Sequence, residues 1–385
     1  MDYIRQIASC VKLTLVPRHA PVVFLLAALS IHDVTTEPAA KPGAYRFTDH
    51  SVLRPWVTRV WFARLFPLLP RWLAANLVTL MSTGTLVAIV GASLAADWMG
   101  PVYFALLQLG ALQLYVAGDH LDGMQAVASG TTSPLGDFLD HHCDLWAGCV
   151  LCLGFWSLPR NAPLWELYLL TVLLITGFAI TYLERAERKA LHFTAWGTLE
   201  AIAILTAFYL SWCFAPARAW WNGELFGGVA RHFLPAVAGM AMAIGAILII
   251  GRRLRVVPAP LILSTTTLVA LAAWCVRAEL PPLWGWLVVA LTGADYVALV
   301  MQAHTTARAR PWPDFVPPVA TAALWAVSAV ISAAPANPNA ATAPRALLIS
   351  LTIWLLVRYA VTLTRTISGW RRHWVWKNEA PVAVP

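Results

Sequence analysis

Apolar residues run in stretches of roughly 17–25 positions along most of this chain, broken by short polar intervals, a length that suits bilayer-crossing helices. On that criterion about ten spans are expected, near 74–96, 101–118, 139–158, 164–183, 196–215, 232–250, 259–277, 280–300, 315–334 and 345–365. Residues 45–73 differ. Arg54, Trp56, Arg59, Trp61, Arg64, Arg71 and Trp72 interleave charge with indole, which reads as an amphipathic helix lying in the membrane interface. Ahead of it, the apolar run at 22–31 is too short for a span, and 38–43 reads as a linker. The expected fold is therefore all-α: a polytopic integral membrane protein of about ten transmembrane helices with an N-terminal amphipathic interfacial segment. It divides into a lead-in at 1–44, the interfacial segment at 45–73, a membrane core at 74–215, additional helices at 216–365 and a tail at 366–385.

Composition agrees. Of 385 residues, 59% are hydrophobic and 12% charged, and mean hydropathy is +0.66. Soluble domains carry about 25% charged residues. The net charge of +8 falls at the ends of apolar runs rather than in a nucleic-acid stripe. Arg185, Arg188 and Lys189 occupy one loop, Arg252, Arg253 and Arg255 another, Arg308 and Arg310 a third, and Arg371, Arg372 and Lys377 the tail. The intervening loops are poorer, with Arg160, with Arg218 and Arg231, and with Arg277. That alternation puts both termini and residues 119–138 on the cytoplasmic side. Twenty tryptophans suit interfacial belts, and the six cysteines, mostly within apolar runs, read as small buried hydrophobes.

Acids are costly near a bilayer, so the cluster between the second and third spans marks a functional site. Asp119 and Asp122 are spaced i,i+3 at the end of one predicted helix, and Asp140 and Asp144 i,i+4 at the start of the next. Each pair shares one helix face. Ser129-Gly130 to Ser133-Pro134 turns the chain back between them, with Ser133 as helix cap and Pro134 in the first turn. Four carboxylates brought that close repel, and one or two divalent cations resolve the conflict. Gly123, Ala126 and Gly136 lie about a turn from the acids, where larger side chains would block a nucleotide. Asp137 reads as an ordinary surface acid.

The pattern D-x2-D-G-x2-A-R-x8-G-x3-D-x3-D marks the CDP-alcohol phosphotransferases, and Asp119, Asp122, Gly123, Ala126, Gly136, Asp140 and Asp144 stand in its register. The chain resembles that family, and in particular its choline/ethanolamine phosphotransferase branch. Supporting stretches are 45–55 and 70–79, then Glu184, Gly197 and Glu200, then Arg358-Tyr359. It departs from the pattern at Val127, where the family has arginine. Met124 and Ala128 stand where basic residues are common, and His142 replaces a glycine.

The resemblance implies transfer of a phospho-alcohol from a CDP-alcohol to a lipid hydroxyl such as diacylglycerol, releasing CMP, with two Mg2+ or Mn2+ ions. It implies metal ligation by Asp119, Asp122, Asp140 and Asp144. Asp144 and His141 are rival bases: Asp144 is either the fourth ligand or the base, and His141 either takes the hydroxyl proton or hydrogen-bonds an aspartate. Asn76 and Glu200 join Gly123, Ala126 and Gly136 as candidate substrate contacts. Family members often pair as homodimers. The Ala-, Trp- and Arg-rich composition suggests a bacterial inner membrane. Rival readings are a CDP-diacylglycerol-dependent synthase, a divalent-cation transporter and a non-catalytic homologue. A transporter predicts acids spread over several spans near mid-bilayer, whereas these cluster on one short segment.

Overall fold

The computed structural model describes residues 46–95, 98–159, 162–193, 197–225, 230–254, 257–306, 311–333 and 342–370. The lead-in and residues 371–385 of the tail lie outside the described residues, as do Arg160, Arg255, Arg308 and Arg310 of the charge pattern.

Helices dominate because the apolar runs must satisfy every backbone donor and acceptor within themselves. They are α1 (Ala75–Thr85), α2 (Val87–Leu94), α3 (Pro101–Ser129), α4 (Pro134–Ser157), α5 (Leu164–Arg188), α6 (Thr198–Ser211), α7 (Ala215–Trp221), α8 (Leu234–Leu254), α9 (Ala259–Arg277), α10 (Pro282–Thr306), α11 (Val316–Ala333) and α12 (Thr342–Gly369). Every expected span falls on one of them or on a consecutive pair. The chain is an integral membrane protein. Among the described residues, seven helices are long and apolar enough to cross a membrane, α1 and α2 counting together as Ala75–Leu94. An eighth is reached if α6 and α7, bent by 116°, form one span. Two of the ten expected spans fall below that criterion for visible reasons. The first turns of α4 carry Asp137, Asp140 and Asp144, and the apolar part of α11, Val316–Ser332, is too short.

One stretch departs from the all-helical expectation. The segment expected as an amphipathic helix begins as strand β1 (Arg46–Asp49), which pairs in parallel with β2 (Ala190–Phe193), Arg46 opposite Ala190 and Asp49 opposite Phe193. Helix follows from Arg54 to Leu68, interrupted by a π turn at Thr58–Phe62 and closed by a 3-10 turn at Phe66–Leu68.

The centre of the bundle is α10, 78% of whose apolar window is buried, against 17% for α8 and 22% for α12, which turn most of their surface outward. It packs on α5 and α12, and Trp286 donates its indole N–H to the Cys149 carbonyl of α4 at 3.1 Å. Toward the N-terminus, α1 packs against both α3 and α4 and so stands between the two acid-bearing helices. Gly118 makes that approach possible: a Cβ there would lie 2.3 Å from Ser82 Cβ.

Candidate metal and active site

The turn between α3 and α4 follows the sequence. Gly130 closes α3 in the left-handed conformation (φ 67°), where a side chain would be strained, and the Thr131 N–H returns to the Ala126 carbonyl at 3.0 Å. Ser133 caps α4, its hydroxyl accepting from the Gly136 N–H at 3.0 Å, with Pro134 in the first turn. The four aspartates consequently meet. Asp140, His141 and Asp144 offer ligand atoms within 4.8 Å of one another. Asp119 lies within hydrogen-bond reach of Asp144, and Asp122 within electrostatic reach of Asp119, Asp140 and Asp144. Two carboxylates that close need a proton or a cation between them.

Neighbouring helices hold the acids in place. Thr79 of α1 donates its hydroxyl to Asp122, which is buried. Tyr115, one turn before Asp119 on α3, donates to Asp144 Oδ1 at 2.5 Å. Asp119 Oδ2 lies 3.2 Å from His120 Nδ1, and the His120 ring stacks on Phe62 at 4.1 Å, tying the interfacial helix to the site. Gln125, buried on α3, donates to the Leu73 carbonyl at 2.8 Å and to those of Pro70 and Arg71 at 3.3 Å, which fixes the turn leading into α1.

Asp137 is not the ordinary surface acid the sequence suggests. One of its oxygens lies 3.4 Å from His141 Nε2 and the other accepts from Arg185 of α5 at 2.5 Å. His141 Nδ1 then faces Asp140 and Asp144, 3.8 Å from each, and its ring lies against Tyr182 at 5.3 Å. His142 points away, to the Tyr359 hydroxyl of α12, which also receives the Trp146 indole N–H at 2.5 Å.

Gly123 and Ala126 lie beside the acids on α3, and nothing stands within 4 Å of where a Gly123 side chain would begin. At Gly136 that position is 3.1 Å from Asn76 Oδ1, so Asn76 and Gly136 adjoin at the mouth of the turn. Val127, at the motif arginine's position, is 48% exposed. Glu200, a candidate substrate contact, is engaged by the chain itself. Its carboxylate accepts from the Ser51 hydroxyl at 2.8 Å and from the N–H groups of Leu53 and Gly197 at 3.0 and 2.9 Å. It thereby fastens the N-terminal segment to the start of α6. Asp295 is an interhelical acid, bonded to Thr362 at 2.8 Å and Arg358 at 3.5 Å.

Tyr115, Thr79 and Gln125 escaped the sequence reading, and Arg185, read there as a loop charge, is buried in the last turn of α5. Gln125 and Tyr115 carried the only signal, polar groups on α3 within a turn or two of the acids.

Residues 72–251 match the model of the CDP-alcohol phosphatidyltransferase family. The chain is similar to Ethanolaminephosphotransferase 1 of Mus musculus, 23% identical over 220 residues, covering 52% of this chain and 54% of that one. It is similar to Cholinephosphotransferase 1 of Gallus gallus, 32% identical over 114 residues, 29% of this chain and 34% of that one. Choline/ethanolaminephosphotransferase 2 of Arabidopsis thaliana is 35% identical over 119 residues, 29% and 30% of the two chains. The matches thus span from about a third to about half the length of these relatives.

Proposed function

We propose, for a chain whose residues 72–251 match the model of the CDP-alcohol phosphatidyltransferase family, that it transfers phosphoethanolamine or phosphocholine from a CDP-alcohol to a lipid hydroxyl such as that of diacylglycerol. The observation that carries this reading is the convergence of four carboxylates, two from each of two helices joined by a tight turn, with small residues beside them.

The donor set is all hard oxygen, which fits Mg2+ or Mn2+, and the residues that would hold such ions are Asp119, Asp122, Asp140 and Asp144. Bound there, two divalent ions would neutralise pyrophosphate charge and polarise the phosphorus under attack. The chain's own residues supply position and a proton acceptor. Thr79 and Tyr115 orient Asp122 and Asp144, and Gly123, Ala126 and Gly136, with Asn76, leave room for the nucleotide. The acceptor oxygen bonds to the phosphorus bearing the alcohol group. The bond from that phosphorus to the CMP oxygen breaks, and CMP leaves with the electron pair. With Asp144 Oδ1 already engaged by Tyr115, Asp144 suits ligation, and the hydroxyl proton goes to His141 Nδ1, which faces the acids.

The alternation of basic and poorer loops supports a site facing the cytoplasm. Composition supports a bacterial inner membrane, although the three relatives named above are eukaryotic. The test is CMP release by the purified chain in lipid vesicles, offered CDP-choline or CDP-ethanolamine with diacylglycerol. Mg2+ or Mn2+ should be required, chelation should stop release, and Asp144→Asn should abolish it. Metal-independent release, or full activity in Asp144→Asn, would sink the reading.

A further inference from the structure

One cation reaches the acid cluster from outside the motif. Arg185, in the last turn of α5, is 3% exposed and is the only buried arginine or lysine among the described residues. Removing a guanidinium from water costs several kcal/mol unless it is paired. Its partner is Asp137, and it also lies 5.8 Å from the ring centre of Tyr182. Both of those residues adjoin His141, Asp137 at Nε2 and Tyr182 through a tilted ring contact. Arg185 therefore meets His141 along two routes, one through a carboxylate and one through an aromatic ring. On α3, by contrast, the motif's cation position is the uncharged, half-exposed Val127.

We propose that Arg185 is a positioning residue for the transfer: by holding Asp137 and bracing Tyr182 it fixes the His141 ring with Nδ1 toward Asp140 and Asp144. The role rests on the transfer reaction proposed above. The chemistry is that of an outer partner orienting a histidine. A carboxylate 3.4 Å from Nε2 favours the tautomer that carries its proton there, with Nδ1 turned toward the acids. A planar guanidinium holds a carboxylate in one plane better than an ammonium does. Because Arg185 is engaged and buried, its loss falls on turnover rather than on donor binding.

The experiment compares the full-length wild type with Arg185→Gln, Arg185→Lys, Asp137→Asn and the Arg185→Gln/Asp137→Asn double variant in lipid vesicles. Turnover is measured with CDP-choline and CDP-ethanolamine. Mn2+ affinity is followed by EPR and CMP affinity by equilibrium binding. Arg185→Gln should lower kcat about 10- to 100-fold while donor KM, CMP affinity and Mn2+ affinity stay within about twofold. Arg185→Lys should recover part of the loss, and the double variant should be no worse than the worse single one. Wild-type kcat in Arg185→Gln overturns the proposal. So does a loss confined to donor KM or Mn2+ affinity, which would mean direct contact with phosphate or metal, and so do additive losses. Should Arg185→Gln fail to fold, Arg185→Lys and Asp137→Asn carry the same test. A wild type without metal-dependent CMP release refutes the transfer reading and this role with it; an active wild type matched by Arg185→Gln refutes this role alone.

Discussion

Alanine at Gly118 should disable the site without touching an acid. The new Cβ would sit 2.3 Å from Ser82 Cβ and 3.1 Å from Ser82 Oγ, in the seam between α3 and α1. Carbon atoms pack at about 3.8 Å, so the two helices must part by about 1.5 Å. Overpacking of this kind costs about 1–3 kcal/mol of stability. The larger effect is positional. Asp119 is the next residue, and the Thr79–Asp122 hydrogen bond crosses the same seam. A displacement of about 1 Å in a catalytic group lowers rate about 100-fold. CMP release should therefore fall about 100-fold in Gly118→Ala, by the same argument, with the protein still eluting as a folded species. The geometry also specifies the cure. Ser82→Gly removes both offending atoms and leaves Ser82 Cα at 3.5 Å, an ordinary contact. Activity of the Gly118→Ala/Ser82→Gly double variant should return to that of Ser82→Gly alone. The single Ser82→Gly change loses a hydroxyl bond to the Thr79 carbonyl at 2.9 Å and about 0.5 kcal/mol of helix propensity, so it is the proper reference. Full activity in Gly118→Ala, or a double variant as inactive as Gly118→Ala, would refute the reasoning.

Tyr115→Phe removes the donor to Asp144 and nothing else of its shape. A hydrogen bond to a charged group is worth about 1.5–3 kcal/mol, so the Mg2+ concentration giving half-maximal CMP release should rise about tenfold or more, read by metal titration. Glu200→Gln should lower the thermal midpoint of the detergent-solubilised chain, because it weakens the anchor of Ser51, Leu53 and Gly197, and should leave donor KM unchanged. A changed KM at unchanged stability would return Glu200 to the substrate site.

Local pattern determined a good deal about this protein. The apolar runs specify helices because a backbone in lipid has few other ways to satisfy itself, and each expected span is helical. The four aspartates could be grouped because each pair shares a helix face and one short turn, capped by Gly130 and Ser133, joins the two helices. Those are relations within a few residues, and a sequence displays them directly. The tertiary structure decided which distant groups surround the acids. Thr79 meets Asp122 across 43 positions, Gln125 reaches Leu73 across 52, and Arg185 reaches Asp137 across 48. Strand β1 finds β2 more than a hundred residues away, and Glu200 finds Ser51 across 149. Apolar periodicity reports which face of a helix avoids water, but not which helix it meets. Neighbours are chosen by how side chains interlock, as where Gly118 admits Ser82, and by which buried polar groups find partners. Asp137 shows the consequence: alone it reads as a solvated surface charge, and only the packing of α5 against α4 makes it the link between Arg185 and His141.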